Sequence, residues 1–163
     1  MKNHPIKSLL ILGALLAVNT STYSTEGSAS GIELIVVNPA ALYDPAPNGY
    51  SHTVIVNNAS KTAYIAGQGG EDATGALSPE FEAQVRQAYA NLRVALDAIG
   101  AEPNQVAKLT TYVVDYDESL LEVMTEAVVS MFGEALPAQT LVPVPRLALD
   151  GMLFEVDAVA ILN

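Results

Sequence analysis

Cysteine and tryptophan are both absent from the 163-residue chain, and histidine occurs only twice. Without cysteine there are no disulfides, no Cys-rich zinc or iron–sulfur sites and no thiol nucleophile. Cationic side chains are scarce as well: 7 Lys and Arg stand against 18 Asp and Glu, a net charge of -11. Such a chain repels phosphate backbones, which argues against a nucleic-acid binder working through Lys and Arg contacts. Charged residues of both signs make up only 15% of the chain, below the roughly 25% of an ordinary soluble domain. That deficit asks for a membrane-directed segment or for a surface buried against partners. At about 100–200 residues per domain, the length accommodates one domain with a real core.

What is present begins with an address. Lys2, His4 and Lys7 precede an unbroken apolar run, Leu9–Val18, which gives way to the polar tract Asn19–Ser24. The run is far short of the about 20 residues that span a bilayer. Its positive, apolar, polar order is that of a secretory signal peptide; the alternatives are a buried N-terminal helix or a short anchor. Residues 1–24 are therefore expected to be a leader, 25–31 a flexible linker and 32–163 the folded domain, secreted or periplasmic and free of the membrane once the leader is removed. No clear A-x-A site follows the run, which leaves the cleavage point open between Asn19 and Ser30. Residues 1–24 hold two lysines and no acid, so the remainder carries 5 basic and 18 acidic side chains, a net charge of -13. Removing the leader does not cure the shortage of charge, and a subunit interface is the better account.

The domain reads as alternating strands and two helices. Ile32–Val37 is a β-branched strand; Thr53–Val56 and Ala63–Ala66 are short strands whose Asn-containing connection predicts a hairpin. Ser78 as N-cap with Pro79 after it opens a helix whose Phe81, Val85, Ala88, Leu92, Ala95 and Ile99 recur at three- and four-residue steps up to Gly100. Val106–Val114 is a central strand. Asp117 caps a second helix that Gly133 closes, and Thr140–Leu147 and Met152–Leu162 are two strands joined through Asp150–Gly151. The order βββαβαββ predicts an α+β two-layer sandwich, with two helices on one mostly antiparallel sheet. Its other sheet face is expected to be covered by nothing in the chain, so a partner is needed, namely copies of itself. Pro143 and Pro145 share parity and weaken pairing along one edge, which marks a subunit boundary or a cleft; the alternative is a loop.

Local motifs for chemistry are few. His52 is the one histidine outside the leader, and no carboxylate spacing supplies it with metal-binding company, so a structural hydrogen-bonding role is preferred. Gly67-Gln68-Gly69-Gly70 lacks the Lys and Ser/Thr of a phosphate loop and reads as a turn after a strand. There is no G-x-S-x-G nucleophile elbow.

Longer patterns carry more. Ile65-Ala66-Gly67-Gln68 after a strand, Gln84-Val85-Arg86-Gln87-Ala88 with Asn91-Leu92, Lys108-Leu109-Thr110-Thr111-Tyr112-Val113-Val114-Asp115, Pro137-Ala138, Val144-Pro145-Arg146-Leu147 and Glu155-Val156-Asp157-Ala158-Val159-Ala160 resemble the Rid family. This is the YjgF/UK-type group also labelled endoribonuclease L-PSP, and the resemblance covers about residues 32–162. It implies a chorismate-mutase-like fold and a homotrimer with a small-molecule cleft at each subunit interface. It further implies cofactor-free, metal-free hydrolysis of enamines and imines such as 2-aminoacrylate to 2-keto acids and ammonia. Carried over residue by residue, Glu155 is the carboxylate that orients the attacking water, with a charge at a sheet edge as the alternative. Tyr50 supplies a hydroxyl or cleft wall, Leu141 a backbone contact, and Ala66 and Gly67 the wall where the family usually has Ser-Gly.

One position departs from the family with chemical consequence. The resemblance expects a carboxylate-clamping arginine after Pro-Ala, and this chain has Gln139. A neutral amide cannot reproduce bidentate, charge-assisted bonds worth on the order of 1.5–3 kcal/mol each. The loss corresponds to roughly tens to thousands of fold in binding an anionic substrate. Pro143 stands where the family has a Glu. Arg146 has opposite parity to Gln139 on an ideal strand, so it is expected to pair structurally with an acid at the subunit interface rather than restore the lost charge. The expected ligand is a small metabolite with a carbonyl, amide or imine group. Two functions follow from this: a Rid-like binding protein weak or inactive on anionic imino acids, or a hydrolase acting on neutral imines or enamines. RNase or translational inhibition, implied only by the family's older label, fits an acidic exported protein poorly.

Overall fold

The computed structural model describes residues 18–24 and 31–163. Most of the expected leader, with Lys2, His4, Lys7 and the apolar run up to residue 17, and linker residues 25–30 lie outside the described residues. The elements are β1 (Val18–Ser24), β2 (Glu33–Pro39), β3 (Thr53–Asn57), β4 (Lys61–Gly69), α1 (Phe81–Ala98), β5 (Val106–Val114), α2 (Leu121–Phe132), β6 (Ala138–Val144) and β7 (Phe154–Leu162). From β2 onward this is the βββαβαββ order read from the sequence. β1, in the tail of the expected leader, is an added strand paired antiparallel with β2.

Two sheets result, β1-β2-β3 and β4-β7-β5-β6. The second is antiparallel except for β5 and β6, which run parallel. A parallel pair needs a crossover, and α2 provides it by returning the chain to the start of β5. β6 is thereby an edge strand, where the missing N–H of Pro143 is tolerated.

Phe154, Val156, Ala158 and Ala160 of β7 and Leu109 and Val113 of β5 point at the helices, with alternate residues on the opposite face. They pack against Val85, Ala88, Leu92 and Leu96 of α1 and Met124, Val128 and Phe132 of α2. Gln84 lies buried in the same helix face.

Four expectations need correction. β3 and β4 do not form a hairpin: β3 pairs with β2, and β4 pairs with β7, whose nine residues give it a longer partner. β6 and β7 are not neighbours, because β5 lies between them. Ser78 does not cap α1; its hydroxyl accepts the Glu80 N–H at 3.2 Å, which forms a turn ahead of a helix that starts at Phe81. The sheet face away from the helices is covered in part, because Ile32 and Leu34 close over Ile161, with Val54, Val56, Ala107 and Val159 packed around them. By contrast, Asp117 does cap the turn that leads into α2, accepting the Ser119 N–H at 2.7 Å.

Candidate functional site

The residues singled out from the sequence fall into two groups on opposite faces of the second sheet. Gln139 and Leu141 are in register with Leu109 and Thr111 of β5 and lie on the helix side. Glu155 is in register with Tyr112 and lies on the other face together with Asp157.

The first group forms a cleft. The segment after β2 runs back along the free edge of β6, where the Ser51 N–H donates to Pro137 O at 2.9 Å and Ser51 Oγ to Leu136 O at 2.7 Å. Gly49 adopts φ +75 at the bend, where an added Cβ would come within 3.4 Å of Val128 on α2. These anchors set Tyr50 beside β6. A cleft of about 400 Å³ opens there, lined by Tyr43, Tyr50, Tyr116, Leu121, Gln139 and Leu141.

The Tyr43 and Tyr50 hydroxyls bond to each other. His52 lies edge-on to both rings, with centroids at 5.4 and 5.7 Å, while its Nε2 is 2.9 Å from Tyr43 O. The histidine is thus a prop for the aromatic wall, the structural role read from the sequence. Gln139 Oε1 is buried and has no hydrogen-bond partner.

The second group is acidic. Glu155 packs over Gly67, where a Cβ would collide with its carboxylate, so the glycine makes room for the acid. Burial, then the nearby Glu71 and Asp157, push the Glu155 carboxyl above the usual glutamate range. Asp157 is held by the Thr110 N–H and the Tyr112 hydroxyl, both at 3.2 Å. Its charge drives the Tyr112 phenol upward. Lys108 donates to Thr140 Oγ1 at 2.5 Å, and burial lowers its ammonium while Asp157 opposes that shift. Ala66 is exposed and offers only its carbonyl, which accepts from Gln68 Nε2 at 3.0 Å. Among the described residues no cluster of His, Cys, Asp or Glu is arranged to hold a metal.

Arg146 joins neither group. It pairs with Asp150 at 3.2 Å, four residues away and fully exposed. A second groove of about 360 Å³ between α1 and α2 includes Arg86 and Arg93. Their guanidinium groups are already engaged by Glu82, Asp97 and Glu102, so this groove offers less free chemistry than the tyrosine cleft.

Sequence reasoning did not single out Tyr43, Tyr116, Glu71 or Asp157. Asp157 was within reach, since it shares a strand face with Glu155 two residues earlier. Glu71 and the two tyrosines reach their places only through loop packing and carry no periodic signal.

Comparisons with known proteins bear on the family and the fold. Residues 42–162 match the family model described as endoribonuclease L-PSP. A RutC family protein of Pyrococcus horikoshii is 35% identical over 119 residues, covering 71% of this chain and 90% of that one. A 2-iminobutanoate/2-iminopropanoate deaminase of Salmonella typhimurium is 29% identical over 89 residues, 54% of this chain and 69% of that protein. Among solved structures, a Rid-family protein of unknown function from Yersinia pestis superposes with a TM-score of 0.75 at 35% identity, covering 79% of this chain and 98% of the other. The resemblance read from the motifs, the βββαβαββ order and these matches converge: the chain belongs to the Rid family, the endoribonuclease L-PSP group, and has its chorismate-mutase-like fold.

Proposed function

We propose that this is an exported, homotrimeric Rid-like protein whose intersubunit cleft binds a small carbonyl-, amide- or imine-bearing metabolite, and that it turns over anionic imino acids weakly or not at all. The observation that carries this reading is Gln139. It stands where the family resemblance expects a carboxylate-binding arginine, in a cleft that no Lys or Arg lines among the described residues. The similarity to the Salmonella deaminase supports imines as the chemical class. The split between Gln139 with Tyr50 on one sheet face and Glu155 with Gly67 on the other supports the trimer, since a site using both groups needs more than one copy. The charged, apolar, polar order of residues 1–24 supports export, and N-terminal sequencing of the exported protein tests it.

The main test is an amino-acid-oxidase assay in which 2-iminobutanoate is generated and semicarbazide competes for it. The wild type is expected to leave keto-acid formation near the uncatalysed rate, and efficient acceleration overturns the reading. Gln139→Arg restores a charge-assisted clamp and is expected to raise kcat/KM on this substrate by about tenfold or more.

A second reading, a hydrolase for neutral imines or enamines, is favoured by one observation. The carboxyl of Glu155 is shifted upward, toward the pH at which a carboxyl works as general base and acid. It would activate a water while Gln139 holds the uncharged substrate. Equal rates for wild type and Glu155→Ala on a panel of neutral imines remove this reading.

A further inference from the structure

We propose that the cleft beside Gln139 takes a flat, uncharged carboxamide or lactam that gives an N–H to Gln139 Oε1. The proposal rests on the reading of this cleft as the ligand site and names the class of compound it selects. Gln139 Oε1 is buried with no partner, and an amide oxygen accepts but never donates. A ligand N–H satisfies that oxygen, whereas a carboxylate leaves it unpaired and finds only neutral N–H donors on the turned amide, with no cation in the lining to offset its charge. The terminal torsion of a glutamine is soft, so the amide can turn to a ligand without moving β6.

The surroundings select charge and shape. Asn48 brings a second side-chain amide to the lining, and among the described residues no ionised side chain lines the cleft. Lys108 touches Thr140 Oγ1 but is not part of that lining. Beyond Asn48 and Leu121 the adjoining groove carries Glu118, Glu122 and Glu126, which repel an anion approaching from that side. Tyr43 and Tyr50, whose hydroxyls bond to each other and whose rings both meet His52 edge-on, form an aromatic wall that favours a planar body. Two side-chain amides in one lining present both donors and acceptors. Their natural complement is a group holding both, an amide edge, rather than an ammonium that only donates.

Three probes share one shape and differ in charge: benzamide, benzoate and benzamidine. In NMR titrations of the purified protein, benzamide is expected to bind at least about tenfold more tightly than benzoate and to shift the Gln139 side-chain amide signals. Gln139→Met is expected to abolish the preference and Gln139→Arg to reverse it. Equal binding of benzamide and benzoate, tightest binding of benzamidine, or a preference unchanged in both variants overturns the proposal. The broader reading fails by a different route, through rapid turnover of 2-iminobutanoate. Slow turnover combined with any of those probe results removes the amide assignment alone.

Discussion

Gln84 shows how a single polar side chain secures this fold. It is fully buried in α1 and every polar atom of its amide is used: Nε2 donates to Ser78 O and Gly151 O, both at 2.7 Å, and Oε1 accepts the Leu153 N–H at 2.8 Å. Gly70 packs so closely on the same residue that a Cβ there would sit 2.6 Å from Gln84 Cα. Gln84→Met keeps the volume but takes a hydrogen-bond partner from the partly buried Ser78 carbonyl and Leu153 N–H and from the exposed Gly151 carbonyl, so it is expected to cost about 2 kcal/mol by chemical denaturation, and a loss below about 1 kcal/mol contradicts this account. Glu155 supplies the opposite case, a charge the fold disfavours. Its carboxyl is raised above the usual 4.5 by burial and by Glu71 and Asp157, so the folded state holds the proton more tightly than the unfolded chain. Stability attributable to this group therefore falls as pH rises from about 4.5 through the raised value, and the cost is complete above it. Glu155→Gln cannot ionise. The stability difference between wild type and variant is expected to change across that window in denaturation midpoints taken at several pH values, and a constant difference refutes the assignment. Asp72 and Asp117, lowered by their hydrogen bonds, act in the other direction below 3.8 and cancel in the comparison.

At the scale of elements, the departures from simple reading share one cause, competition for β7. Sequence proximity favours a β3–β4 hairpin, but β7 presents a core-facing row from Phe154 to Ala160 and takes β4 on one edge and β5 on the other. β3 is left to β2, and the pair folds over the Val159 and Ile161 end of the opposite face. β1 adds to β2 alone, and its residues Asn19–Thr22 are exposed. A chain beginning at residue 25 loses that strand, whose residues 19–22 are exposed. It is expected to unfold cooperatively within about 5 °C of the longer chain in thermal melts; failure to fold makes β1 an integral strand and contradicts removal of residues 1–24 as a leader.

At the scale of the molecule, the shortage of charge has a place to go. The half of the sheet face carrying Tyr64, Tyr112, Glu155 and Asp157 lies beyond the β2–β3 cover, and Tyr64 is 82% exposed there. An exposed aromatic on a strand beside half-buried acids suits an interface between copies. Light scattering is expected to return three copies per particle, and Tyr64→Glu, which adds a charge to a face already rich in acids, is expected to dissociate them. A monomeric wild type removes the interfacial cleft from the proposed function.

Periodicity and composition by themselves determined the element order from β2 onward, the middle of the apolar face of α1 (Val85, Ala88 and Leu92, with Leu96 rather than the exposed Ile99 completing it), the apolar face of α2, the alternation of β5 and β7 and, through the motifs of residues 65–68, 108–115 and 155–160, the family. These are local properties, set by which side of a strand or helix each residue occupies. Strand partners, the separation of Gln139 from Glu155, the bond between the Tyr43 and Tyr50 hydroxyls and the unpaired Gln139 oxygen were decided only by tertiary structure. Each depends on which surfaces remain free once the core around Phe154 has closed, and hydrophobic burial, being non-directional, does not write that choice into any single segment.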